Sequence, residues 1–157
     1  MLKIFSLLLA RLFISLIFIL SAIEKLINWH DTEKALITAL SDWQEHLGSF
    51  QLFQDFFILL VHWSSVLLIV ATLFELLGGV MILIAFRERI GATLLILFLI
   101  PATLVFHSYW FLEGEVREIQ MIMFLKNLAI IGGLIIVSIH GIRIAQRNDH
   151  SSFMGVG

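Results

Sequence analysis

The sequence predicts an all-α polytopic membrane protein: an antiparallel four-helix transmembrane bundle with an amphipathic helix in the first outer loop. Three observations predict it. Apolar residues make up 60% of the chain and charged residues 14%, with a mean hydropathy of +1.02, outside the range of soluble globular domains. The apolar residues gather into four runs, at about 4–23, 57–86, 90–111 and 121–139, each long enough to cross a hydrocarbon core of about 30 Å. The charges lie mainly between these runs, cations on one side and carboxylates on the other. One domain is expected over 1–147, followed by a short polar tail, 148–157, expected to be disordered.

The first run follows Lys3 and carries Arg11, and it ends without a good small-x-small cleavage site, so it reads as a retained transmembrane helix. The loop 28–56 is more than a linker. Leu36, Leu40, Trp43 and Leu47 recur at helical spacing, Asp31 or Thr32 can cap the start, and Gly48 can end it. Phe50, Phe53 and Phe57 carry an aromatic stripe into the second run. A helix over about 31–47 would lie on the membrane surface, as a plain anchor or as a lid. The second run is long enough to tilt or to begin in the interface. Within its later part, 66–86, the one charge is Glu75, with Ala71 and Thr72 a turn before it and Gly78 and Gly79 a turn after.

The loops set the orientation. Lys3, the turn Arg87-Glu88-Arg89, Arg143 and Arg147 lie on one side, whereas the loops of the other side hold eight carboxylates, Lys34 and Arg117. The positive-inside rule counts Lys and Arg and places both termini in the cytoplasm, in a plasma (inner) membrane. Helices two and four each carry a charge followed by a glycine pair, a faint sign of an internal repeat.

Several classes of function are excluded. With no cysteine there is no disulfide, thiol nucleophile or thiolate-held cluster. A net charge of −2 without a basic run excludes nucleic acid as an expected partner. Neither a GxGxxG nor a phosphate loop occurs, and His62, His107 and Glu75 lack metal-ligand spacing, so no metal site is expected. His62 and His107 would be the candidates for haem near the outer edge. No intrinsic cofactor is evident.

What remains is a polar set within the runs. A carboxylate at the depth of Glu75, about 14 Å from the outer end, needs a partner. Arg11, Ser15, Phe18, Ala22 and Lys25 form one seam of the first helix. Thr103, His107 and Trp110 share a face of the third, and Lys126 and Asn127 lie on the fourth. Counting along the helices, Arg11 reaches up toward Glu75 from the inner side and Lys126 reaches down. Either is the expected ion-pair partner, within about 4–5 Å. The plain reading is a clamp that fixes helix register. The functional reading is a site: Glu75, His107, Lys126 and Asn127 around a cavity roofed by Trp110 or by the surface helix.

The residues Arg11, Phe18, Ser21-Ala22 and Lys25-Leu26, the stretch FELLGG (Phe74 to Gly79), His107 and Trp110, and the stretch LKNLAIIGG (Leu125 to Gly133) together resemble the DoxX family of four-helix integral membrane proteins. The resemblance extends over nearly the whole chain. Ala22 departs from it, where relatives often have glycine. The resemblance implies a fold more than an activity. Some members are subunits of thiosulfate:quinone oxidoreductase, others belong to membrane redox assemblies, and many have no assigned chemistry. By matched position, Arg11, Lys25, Glu75, His107, Lys126 and Asn127 are the family-type polar set, and with Trp110 they are the candidate ligand-binding residues; no catalytic residue is assigned.

Three readings stand. The first is the membrane subunit of a redox complex, an oxidoreductase subunit binding a quinone or small anion. Its donors would be His107, Lys126, Asn127 or Arg11, between walls of Phe18, Phe106 and Trp110. The second is a scaffold without turnover, and the third a small carrier for a polar solute. The partners to expect are the lipid bilayer, a redox protein and a second copy of the chain.

Overall fold

The structure is a computed structural model; it describes the backbone of residues 2–47 and 51–153, and the side chains of 5–47 and 51–139. The described residues form helices joined by short breaks: α1 (Leu2–Ile27), α2 (Trp29–His46), α3 (Gln51–His62), α4 (Ser64–Leu83), α5 (Glu88–Phe106), a 3₁₀ turn (Tyr109–Phe111) and α6 (Gly114–Phe153). Four segments are long and apolar enough to span a membrane: Phe5–Ile27, Ser64–Leu83, Glu88–Phe111 and Gly114–Ile139. The all-α transmembrane architecture expected from composition is the observed one. Alternate spans run in opposite directions, so α1 begins and α6 finishes at the same end of the bundle, and α2 covers the other.

Where the helices break follows from local chemistry. At Asn28 the chain turns from α1 into α2 while its hydrogen bonds continue. The Asn28 N–H donates to Glu24 O (2.9 Å), and its carbonyl accepts from the Thr32 N–H (3.0 Å) and hydroxyl (3.0 Å). The break therefore falls at Asn28, before the Asp31 or Thr32 expected as caps, and Thr32 bonds backward. Gly48, the expected stop, and Phe50 lie outside the described residues.

The second run is not one helix. Trp63 (φ −98°, ψ 16°) separates α3 from α4. The 12-residue α3, too short to cross a bilayer, stays at the capped end against α2. α4 ends in a Schellman motif: Ala85 is left-handed (φ 59°), Phe86 N–H donates to Met81 O (2.9 Å) and Ala85 N–H to Ile82 O (3.2 Å). Arg87 (φ 45°) then precedes α5. The turn is thus 84–87, and Glu88 and Arg89, expected in it, are already helical. At the far end α6 continues to Phe153, where an irregular tail is expected from Asn148. No glycine or proline occurs between Ile142 and Met154 to stop it, and residues 154–157 lie outside the described ones.

The spans pack as a row, α1 on α4, α4 on α5 and α5 on α6; among the described residues α1 and α6 form no comparable seam. Two adjacent glycines hold α4 in the middle. A Cβ on Gly78 would stand 2.7 Å from Leu95 Cγ and 2.9 Å from Gly91 O, and one on Gly91 would stand 3.0 Å from Gly78 O. The α4 and α5 backbones therefore meet at a glycine crossing. On the other side, a Cβ on Gly79 would meet Ile19 Cγ1 at 3.0 Å and Ser15 O at 3.4 Å, so the next residue receives α1. The core consists of Phe18, Ile82, Ala92, Leu95, Leu99 and Leu134. A Cβ added to Gly132 or Gly133 on α6 would have nothing within 4 Å. The two glycine pairs therefore play different parts, and the repeat they suggest has no packing counterpart.

Candidate functional site

Glu75 is 1% exposed and bonded to Lys25, whose Nζ donates to Glu75 Oε2 at 2.8 Å. The same ammonium donates to Ser21 Oγ at 2.6 Å and lies 5.5 Å from the centre of the Phe98 ring. Helix geometry explains the choice of partner. Side chains tilt toward the N-terminus of their own helix. α1 begins at the uncapped end and α4 at the capped end, so Lys25 leans down into the bundle and Glu75 leans up to meet it.

The rule that selects Lys25 rejects the two cations expected to pair with Glu75. Arg11, also on α1, leans away from Glu75 toward the uncapped end, where its guanidinium pairs with Glu88 in the first turn of α5. Lys126, on α6, leans back toward the capped end, and its Nζ lies 3.3 Å from Met123 Sδ. Lys126 is exposed. Lys25 belongs to the candidate set, whereas Ser21, its second acceptor, enters the sequence reading only as part of a motif.

The other polar residues form two further pairs. Asn127, 9% exposed, donates from Nδ2 to Thr103 Oγ1 at 3.1 Å, and the Thr103 hydroxyl donates to Leu99 O at 2.6 Å. This ties α6 to α5. His107 caps the end of α5, and its Nδ1 lies 2.7 Å from Gln120 Oε1 on α6. An amide oxygen only accepts, so across this contact the His107 Nδ1–H is the donor. Gln120 is not among the sequence candidates; it lies less than two turns before Lys126 on α6.

Trp110 stands apart from this group. The helix ends at Phe106, so Trp110 is in the 3₁₀ turn and does not share a face with Thr103 and His107. It packs instead against Trp43 (5.7 Å between ring centroids) and Phe124 (5.9 Å). Trp43 of α2 is the centre of that cluster, stacked on Phe57 (5.9 Å) and edge-on to Phe111 (5.0 Å). Leu40, 2% exposed, is buried beneath the same helix. Farther along, Ser65 donates to the carboxylate of Glu33, a tie between α2 and α4.

Beneath α2 is a cavity of about 1200 Å³. Its polar wall includes Ser21, Lys25, Glu75, His107, Lys126 and Asn127, and α2 contributes Asp31, Thr32, Leu36 and Leu40. The four residues expected around a cavity thus border a single one, and the surface helix, not Trp110, lies over it. Arg11 does not reach it. The rest of the wall is apolar, with Phe18, Phe98 and Leu99 on the inside. It runs on to Ile17, Leu67 and Leu97, which are 42%, 37% and 55% exposed, so the cavity opens sideways onto the surface that meets lipid. Among the described residues no three histidine or carboxylate side chains are grouped to hold a metal.

Chemically, this is a hydrophobic chamber with a neutralised ion pair, two hydrogen-bonded pairs and one amine whose contact is a thioether. Four apolar spans around such a polar centre define the class: an integral membrane protein of the small four-helix kind. The chain belongs to the DoxX family, whose sequence pattern matches residues 6–108, about two-thirds of its length. That match takes in Arg11, Lys25, Glu75 and His107, and stops before Trp110 and α6, so the LKNLAIIGG stretch with Lys126 and Asn127 lies outside it. The chain is also similar to the inner membrane protein YphA of Escherichia coli (strain K12), 30% identical over 73 residues. Those residues are 46% of this chain and 52% of YphA, so the likeness spans about half the length of that relative. No solved structure matches.

Proposed function

We propose that the protein is the membrane subunit of a redox complex and holds a quinone in the cavity beneath α2. The observation that carries this reading is that the ammonium side of the Lys25–Glu75 pair, with the Lys25 side chain 19% exposed, stands on the wall of a large chamber, although Glu75 itself is covered. A clamp needs no such space. A quinone needs hydrogen-bond donors at its carbonyls, flat apolar walls for its ring and a sideways exit for its isoprenoid tail. Lys25 is the donor, Phe18 and Phe98 the ring neighbours, and the gap toward Ile17 and Leu97 the exit. His107, on the same wall, is a ring-nitrogen partner for the hydroxyl of the reduced form. Electrons would then come from a partner protein.

The likeness to YphA supports the inner membrane as the location. The cations of the uncapped end, Arg87 and Arg89 among them, support cytoplasmic termini and a cavity in the outer half. The test is quinone retention. The protein is reconstituted in nanodiscs containing a long-chain benzoquinone, washed, extracted and assayed by mass spectrometry. The wild type should retain up to one quinone per chain above protein-free discs, and the paired variant Lys25→Met, Glu75→Leu should retain several-fold less. Retention no greater than in protein-free discs would remove the quinone reading.

A further inference from the structure

We infer that the cavity has a second subsite, at Lys126, for the anionic headgroup of a membrane lipid. This subsite depends on the cavity being a ligand site but not on the ligand being a quinone. Charge singles it out. Lys25 and Glu75 cancel each other at 2.8 Å, and Arg11 is taken by Glu88. Lys126 is different: it lies in the Gly114–Ile139 span, borders the cavity, and among the described residues no carboxylate is within ion-pair distance of it. Its contact is the Met123 thioether, a weak acceptor, at 3.3 Å. The cavity's remaining acidic groups, Glu24 and Asp31, are at the rim, and Asp31 is 3.9 Å from Lys34. A primary ammonium within a span is costly unless an anion or water meets it. The neighbours do not supply that anion: Asn127 brings an amide and His107 an imidazole.

The walls say what kind of anion fits. The chamber is many times larger than an inorganic anion, and mostly apolar. It continues to side chains exposed on the lipid-facing surface, Ile17, Leu67 and Leu97. Basic pockets between transmembrane helices bind acidic lipid headgroups on the cytoplasmic side, and the same charge pairing is open to a headgroup of the other leaflet. The phosphate would pair with Lys126 and the acyl chains would leave through the sideways opening.

The experiment uses the full chain in nanodiscs of phosphatidylcholine containing one-fifth phosphatidylglycerol, followed by detergent exchange and counting of retained lipids by native mass spectrometry. Wild type should keep phosphatidylglycerol in preference to phosphatidylcholine. Lys126→Gln should lose that preference by about tenfold, the worth of one charge-assisted contact, and Lys126→Arg should keep it. A monodisperse elution profile and an unchanged helical spectrum would show that the variants fold. Equal retention of the two lipids by wild type, or preference surviving in Lys126→Gln, would overturn the subsite. Radiolabelled phosphate binding in pure phosphatidylcholine discs, without phosphatidylglycerol preference, would show a soluble anion and overturn the lipid. Quinone measured in the same samples separates the two readings: quinone kept without lipid preference overturns this inference alone, and lipid preference without quinone overturns the other alone.

Discussion

Glu75 is recognisable from the sequence as the residue that needs a partner, because a lone carboxylate in an apolar run of that length has nowhere else to obtain one. Depth along the helix does not identify that partner, because depth leaves out side-chain direction. Counting places Arg11 and Lys126 within reach, whereas the N-terminal tilt of side chains turns both away and turns Lys25 inward. That signal is present in the sequence, since the direction of each span follows from their order. Gln120 and Thr103 are harder to identify: an uncharged hydrogen-bonding residue near a helix end carries no cost that marks it out. The pair itself makes a sharp prediction. Glu75→Leu strands a largely buried ammonium and should lower unfolding free energy by about 3 kcal/mol, toward the low end for a broken buried pair because Lys25 can still reach toward the capped rim. Adding Lys25→Met should recover most of that loss in a denaturant titration in detergent. A double variant no better than the single one would mean that pairing is not what Glu75 contributes.

At the level of elements, α2 shows what periodicity can and cannot tell. Leu36, Leu40, Trp43 and Leu47 are legible as one face, and that face is turned inward, with Leu40 buried and the other three half-buried. What holds the helix down is not legible, because Phe57 and Phe111 come from two other elements whose breaks, at Trp63 and after Phe106, have no proline or glycine to announce them. In both cases tertiary packing overrides an apolar pattern that would continue as helix. Trp43 is therefore the latch of the cap. Trp43→Ala should raise hydrogen exchange across α2 by about tenfold or more while leaving α4 protected, the loss of three aromatic contacts at about 0.5–1.5 kcal/mol each. Trp43→Phe, which keeps a ring on Phe57 and sacrifices no hydrogen bond among the described residues, should stay close to wild type. Equal exchange in Trp43→Ala and wild type would show that the cap is held by Leu40 and the Glu33–Ser65 tie instead.

For the whole molecule, the order of spans and the sidedness of the charges are separate facts, and they constrain each other. An even number of spans brings the two termini to one end, and the single tight turn, 84–87, returns the chain at that same end. Arg87 ends this turn and Arg89 follows it, and Lys3, Arg143 and Arg147 lie in the α1 and α6 segments at that end. The capped end has the opposite character, with Asp31, Glu33, Asp42, Glu45 and Asp55 on α2 and α3 and Glu113, Glu115 and Glu118 at the start of α6. Translocating the capped end moves few cations across the membrane, and translocating the other moves many, so the uncapped end should remain cytoplasmic. That orientation would give the outer leaflet access to the cavity, since the chamber lies under α2 and opens sideways in that half. The absence of cysteine makes the assignment directly measurable, because any introduced thiol is labelled against a silent background. In intact cells, a membrane-impermeant maleimide should label Glu45→Cys, which is exposed on α2, without lysis, and should label Asn148→Cys only after lysis. Labelling of Asn148→Cys alone in intact cells would invert the molecule and move the cavity to the inner leaflet. Labelling of both from one side would break the four-span order that explains the pairing of Lys25 with Glu75.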